Sequence, residues 1–315
     1  IHVYYLGRVW LDWQTPWHYP WVIFAATVPV GLLLLGLVGL WVGCRAWSTQ
    51  PHWGLLAALA GAGLVLFSWP GVPVYDGERL FLFVYPIWAI FVGLGCQSVH
   101  QILLQWASRK VSHQPAGTSF RRLRLPLDQL IAGGVLLLVV GQGVGLVLYH
   151  PCQLSYYNLL VGGLAGADRL GLEVNYWADA VREPLLREAA ARAPGQQVLF
   201  APHLAPFQAP GIAISSPALA ESQTELLGLD PAIHASLFRR DNSSQAEVVA
   251  PAAQASNHFP PGPSAQWKLP SRWLIVYHRK ADLAAVEPLL AEATVAAEYR
   301  LRGVWLARLV QLPGP

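Results

Sequence analysis

The chain has 315 residues, 54% of them hydrophobic and only 12% charged, about half the roughly 25% charged share of an ordinary soluble domain. The charge is unevenly placed: 8 of the 21 Lys and Arg and 4 of the 18 Asp and Glu precede His150, so that part is near +4 while the remainder is near −1. This distribution points to a lipid-facing first half. It also argues against a nucleic-acid-binding protein, because no basic patch is interleaved with aromatics.

The sequence opens at Ile1, contains no Met, and begins on an aromatic segment without a basic n-region or a small-residue cleavage site. It therefore reads as the C-terminal part of a longer protein. Cys44, Cys96 and Cys152 are too few and too scattered for a disulfide framework. The 10 His residues form no ligand-spaced pair, so no metal site and no cofactor are expected.

In chain order, four stretches are apolar enough to be membrane spans: 22–43, 53–69, 80–99 and 130–149. Trp17, Trp21, Trp47, Trp53 and Trp69 gather at their ends, as rings at the headgroup level do. Pro29 and Pro86 lie inside spans, where neighbouring helices can satisfy the carbonyls they free. The loop 107–126 carries Arg109, Lys110, Arg121, Arg122 and Arg124 with no acid, and Arg45 follows the first span. Basic loops stay in the cytoplasm, so the first 21 residues, the loop 70–79 and everything after His150 are expected outside. The expected fold is a multi-pass α-helical membrane region, residues 1–150, followed by an extracytoplasmic α/β domain, residues 151–315.

In that second half, 177–192 has helical spacing, interrupted by Pro184, with Glu183/Arg187 and Glu188/Arg192 at i,i+4. Residues 197–201 and 273–278 read as strands, 283–293 as a helix, and 296–301 and 304–309 as closing strands around Arg302-Gly303. The Ala-, Ser-, Gln- and Pro-rich run 243–270 reads as a long loop. Asn242-Ser243-Ser244 has the form of a glycosylation sequon.

Two constellations can carry chemistry. In Tyr75-Asp76-Gly77-Glu78-Arg79, a turn precedes an apolar helix. Asp76 can simply cap that helix while Arg79 snorkels. Alternatively, the helix N-terminus and the Arg79 fork form an anion site at the depth of a lipid phosphate. The second constellation runs through Tyr156, Tyr157, Asn158, Glu173, Tyr176, Trp177 and Asp179. Its aromatic faces, carboxylates and amide suit sugar stacking and hydroxyl recognition; it reads equally as a membrane-surface linker. His18 and Tyr19 of Pro16-Trp17-His18-Tyr19-Pro20 are expected on the same face.

The order His150-Pro151-x-x-Leu154-Ser155-Tyr156-Tyr157-Asn158, Val161-Gly162-Gly163, Leu170-Gly171-x-Glu173 and Tyr176-Trp177-x-Asp179-Ala180 follows the last apolar stretch. It resembles the C-terminal region of bacterial family 39 glycosyltransferases, relatives of protein O-mannosyltransferases and of the lipid A aminoarabinose transferase. The Pro16 to Pro20 run and Tyr75 to Leu82 extend the resemblance, which covers roughly residues 1 to 190. It implies a GT-C type membrane enzyme that moves a sugar from a polyprenyl-phosphate donor to a glycan, lipid or protein acceptor outside the cell. It further implies that basic groups, here Arg79, hold the lipid phosphate, and that the catalytic aspartate lies upstream of this sequence. The rival readings are a transporter, a membrane-anchored ligand-binding protein and a structural scaffold.

Overall fold

The computed structural model describes residues 1–112, 127–229, 271–284 and 286–313. The basic residues 121–124, the sequon and the run 243–270 lie outside them. The chain forms two compact units, 1–172 and 173–315. The division thus falls after Leu172 rather than at His150, because residues 151–172 pack with the helices that precede them.

The first unit begins with a hairpin of β1 (His2–Tyr5) and β2 (Arg8–Leu11). Leu6 and Gly7 turn it with positive φ of 49° and 78°, the pair of left-handed residues that matches the twist of a two-residue hairpin. Helices follow: α1 (Tyr19–Thr27), α2 (Val30–Arg45), α3 (Pro51–Leu66), α4 (Val84–Ser112), α5 (Leu127–Gln142), α6 (Val144–Leu148) and α7 (Gly163–Arg169).

Two stretches, Val84–Trp106 and Asp128–Leu148, are long and apolar enough to cross a membrane; α1 with α2 makes a third if the bent pair counts as one. The expected four spans are therefore met only in part. The first breaks at Val28-Pro29, where the chain turns by 117°. The second, α3, has 16 residues and reaches about 24 Å against about 30 Å of hydrocarbon. No part of the apolar window in Asp128–Leu148 is buried by protein, and Leu136, Leu137 and Val147 are exposed.

Helices α2 and α4 touch through their backbones. A Cβ added at Gly39 would stand 1.8 Å from the Phe91 carbonyl oxygen, and one at Gly95 would stand 2.0 Å from that of Leu35. Such close approach between small residues supplies the dispersion that holds the pair.

The second unit is α/β. Its sheet runs in the order β4 (Glu225–Gly228), β3 (Gln197–Ala201), β5 (Trp273–Tyr277), β7 (Val304–Gln311), β6 (Thr294–Leu301). The first three strands are parallel; β5–β7 and β7–β6 are antiparallel. Strands β3 and β5 are continuous apolar runs buried along nearly their whole length, as a parallel pair covered on both faces requires. Arg302 and Gly303, at φ of 51° and 85°, close the β6–β7 hairpin.

The expected helix at 177–192 starts only at Glu183 as α8 (Glu183–Arg192), with Pro184 in its first turn, where the missing N–H costs nothing. Helices α9 (Gln208–Ser215) and α10 (Pro217–Ser222) connect β3 to β4. The expected helix at 283–293 is two single turns, α11 (Lys280–Leu283) and α12 (Glu287–Leu290).

Candidate functional site

In the first unit, the N-terminal segment, the loop before α4 and the segment after α6 meet at one end of the helices. Trp21 Nε1 donates to Ser68 Oγ (2.9 Å), and Val74 N donates to the Asp12 carbonyl (3.0 Å). Gly7 N donates to the Gly171 carbonyl (3.0 Å). The first 21 residues, the segment 68–79 and the segment 150–172 therefore lie together within the first unit.

The break after α1 explains much of this convergence. Pro29 has no N–H to give to Ala25, and the next amides are swung away by the bend. Asn158 supplies the missing donors: Nδ2 bonds the carbonyls of Ala25 and Val28 (2.6 Å each), and its backbone N bonds that of Ala26 (2.8 Å). Its Oδ1 accepts from Leu160 N at 2.9 Å. With both amide hydrogens engaged by backbone, Asn158 is a bracket for the broken helix rather than a sugar ligand. Gln142 Oε1 serves the other side, accepting from Gly31 N at 3.0 Å.

His18 Nδ1 shares a 2.7 Å hydrogen bond with the Tyr5 hydroxyl, and Tyr19 packs edge-on against Tyr5. The buried Tyr19 hydroxyl takes a bond from the Gly77 backbone and lies within electrostatic reach of Tyr157, Glu78 and Asp76. Asp76 and Gly77 both have positive φ, 54° and 66°. Asp76 does not cap a helix. A short 3-10 turn, Arg79–Phe81, intervenes before α4 starts at Val84, with no side-chain cap. The anion site drawn from a helix N-terminus at Gly77 is thus absent in that form, since the Phe81 amide already bonds the Glu78 carbonyl (3.0 Å) and the Tyr85 amide that of Leu82 (3.1 Å). Arg79 remains exposed, paired with Asp76 at 3.2 Å. Tyr75 is half-buried beside them. Burial raises the Glu78 carboxyl above its ordinary range.

The break also opens a cavity of about 600 Å³. Its walls come from Leu32 of α2, Trp88 and Val92 of α4, Val139 of α5 and Leu146 of α6, and it is predominantly apolar. Polar groups enter at Thr27 and Tyr85, whose hydroxyls bond each other at 2.7 Å, and at Gln142 and Tyr156. Tyr156 packs across Gly145, where a Cβ would meet its ring at 2.6 Å. The Tyr85 hydroxyl lies within reach of the Glu78 charge.

Glu173, Tyr176, Trp177 and Asp179 belong to the second unit, where they cross the carboxyl ends of β3 and β5. Glu173 is buried and accepts backbone N–H bonds from Lys280 and Ala281 (2.9 Å each) and from Val174 (3.2 Å). Burial nevertheless raises its pKa to about 7, against those bonds and the Arg279 charge. Arg279 is buried too, held by Asp282 (2.8 Å) and donating to the Tyr176 carbonyl (3.0 Å). Glu173 and Tyr176 therefore tie this segment to the end of β5. Trp177 reaches the other side: its ring lies nearly parallel to that of Phe207, 14° apart with centroids at 6.5 Å. Burial pushes the Asp179 pKa up to about 6, opposed by Arg182.

No protein-family model, curated protein or solved structure matches the chain.

Several of these residues carry no sequence signal. Thr27, Tyr85 and Gln142 sit in apolar runs that read only as lipid-facing, and Phe207 stands in a stretch without periodicity. Glu78 was in view, flanked by Asp76 and Arg79, but its approach to the tyrosines depends on the turn between them. Among the described residues, no group of His, Cys, Asp and Glu is arranged to hold a metal.

Proposed function

We propose that the chain is part of an integral membrane glycosyltransferase of the GT-C type, moving a sugar from a polyprenyl-phosphate donor to an acceptor on the extracytoplasmic face. The observation that carries this reading is the apolar cavity, entered by the Thr27–Tyr85 hydroxyl pair at the end of the helices where the Asp76–Arg79 pair lies. The isoprenoid chain occupies the cavity and the head lies toward the loop. Arg79, oriented by Asp76, neutralises the phosphate as the bond from its oxygen to the anomeric carbon breaks. The acceptor hydroxyl oxygen forms the new bond and its proton passes to a carboxylate, which the family resemblance puts upstream of this sequence.

In this reading α2, α3, α4 and α5 with α6 are four crossings, and α1 lies along the outer interface with Trp17 and Trp21. The short α3 is accommodated by local thinning of the bilayer. Arg45 and the basic segment 107–126 are cytoplasmic, so the second unit is outside.

A broken helix beside a cavity is also an arrangement of transporters, whose freed carbonyls coordinate ions. Here Asn158 and Gln142 already engage the groups of the break, which favours the enzyme. The test is transfer from a radiolabelled polyprenyl-phosphate sugar by the full-length protein in liposomes. Ala89→Trp, which fills the cavity, and Arg79→Ala should each abolish transfer or cut it strongly at normal expression. Undiminished turnover in both would overturn the proposal.

A further inference from the structure

The parallel strands of the second unit part company in their connections. From β3 the chain crosses by α9 and α10 to β4 on one side, while from β5 it passes through α11 and α12 toward β6 and β7 on the other. Ligands of open α/β sheets bind outside the carboxyl ends of neighbouring strands whose connections part in this way. The segment 173–182 straddles those ends, fixed to the β5 side by Glu173 and Arg279 and to the β3 side by the Trp177–Phe207 stack.

What faces solvent there is specific. Phe207 is 68% exposed although its neighbour Gln208 is buried. Gln208 accepts from Leu204 N (3.0 Å) and donates to the Tyr277 hydroxyl (3.3 Å), so the turn presenting Phe207 is held by the strand beneath it. Trp177 and Asp179 are half-buried, and Ala178 between them is held at φ of 59°, a left-handed conformation that a residue with a Cβ adopts at a cost. Phe207 and the half-buried Trp177 offer ring faces there, and Asp179 follows Trp177 by two residues. A sugar ring needs little more than a flat aromatic surface for its C–H face and an acceptor for its hydroxyls.

We propose that the carboxyl edge of β3 and β5 is a carbohydrate-binding site, in which the Trp177–Phe207 pair stacks a neutral sugar ring and Asp179 accepts from its hydroxyls. This goes beyond the transferase reading, because it concerns binding without donor or transfer.

The experiment uses the full chain in lipid nanodiscs with cellotriose and chitotriose as probes, followed by saturation-transfer NMR and titration calorimetry. Both sugars are neutral and present flat C–H faces. Binding in the millimolar range is expected, with saturation concentrated on ring C–H protons, and Phe207→Ala should weaken it about ten-fold. Asp179→Asn should weaken it as well, while Trp177→Phe retains more affinity than Trp177→Ala. Phe207 is exposed, so its truncation should leave the melting temperature unchanged, and Trp47→Ala in the first unit should leave binding unchanged. Absence of binding of both sugars to the wild type, or binding indifferent to Phe207→Ala and Asp179→Asn, overturns the proposal. Because no donor is present, neither result bears on transfer, and loss of transfer in the Arg79 and Ala89 variants would not bear on this site.

Discussion

The side-chain amide of Asn158 donates at 2.6 Å to the carbonyl of Ala25, the acceptor left without a helical partner by the ring of Pro29 four residues later. A segment about 130 residues away in sequence thereby completes the hydrogen bonding of a broken apolar helix. Asn158→Ala removes two side-chain bonds to buried carbonyls and should destabilise the protein by about 3 kcal/mol, since each unsatisfied group costs about 1–3 kcal/mol. Asn158→Asp should be worse, as it sets a carboxylate against the same oxygens. Unfolding in mixed detergent micelles measures both; variants as stable as the wild type would show that the break finds other donors.

Gln142 supports the far side of the same break by accepting from Gly31 N. Gln142→Leu should cost about 1–3 kcal/mol. Combined with Asn158→Ala, the two losses should depart from additivity, because both residues hold one structural element. A double-mutant cycle with no coupling would mean that the two halves of the break are independent.

The α2–α4 contact is predicted to be intolerant of any side chain at Gly39 or Gly95, where a Cβ would fall about 2 Å from a backbone carbonyl. Gly39→Ala and Gly95→Ala should therefore lower the yield of folded protein sharply. Gly93→Ala, in the same helix as Gly95 but with nothing within 4 Å of the added atom, should be neutral or slightly stabilising. Size-exclusion profiles of the three variants give the comparison.

Glu173 makes the second unit sensitive to pH. Its carboxyl titrates near 7 in the folded state against an ordinary value of 4.5, so between these values the folded chain holds a proton that the unfolded chain has released. Stability from this group is full below pH 4.5, falls as pH rises, and reaches its complete penalty above pH 7, on the order of 3 kcal/mol. Asp179, raised from 3.8 to about 6, acts in the same direction at lower pH. Glu173→Gln should flatten the fall in unfolding free energy between pH 5 and 8; an unchanged slope would assign the dependence to other groups.

Much of the second unit was legible in the sequence because its signals are local. The run Gln197–Ala201 is the observed β3, Trp273–Tyr277 lies within one residue of the expected strand, and Arg302-Gly303 does turn the closing hairpin. Strand runs bounded by polar or turn residues carry their own limits. The helix start at Glu183 was less clear, because Pro184 is compatible with either a kink or a first turn and only packing chooses between them.

What the sequence determined by itself was which half is apolar and helical and which is an α/β domain, since hydropathy and periodicity are summed over a segment and need no partners. Even the prolines announced where backbone groups would be left over. Only the tertiary structure decided who would satisfy them: Asn158, read from its surroundings as a sugar ligand, is drawn to Ala25 and Val28 because a buried carbonyl left unpaired costs more than a surface contact returns. The cavity follows from the same break. No residue of it is unusual in sequence, for a cavity is a property of how helices fail to meet, and that is fixed by contacts between segments far apart in the chain.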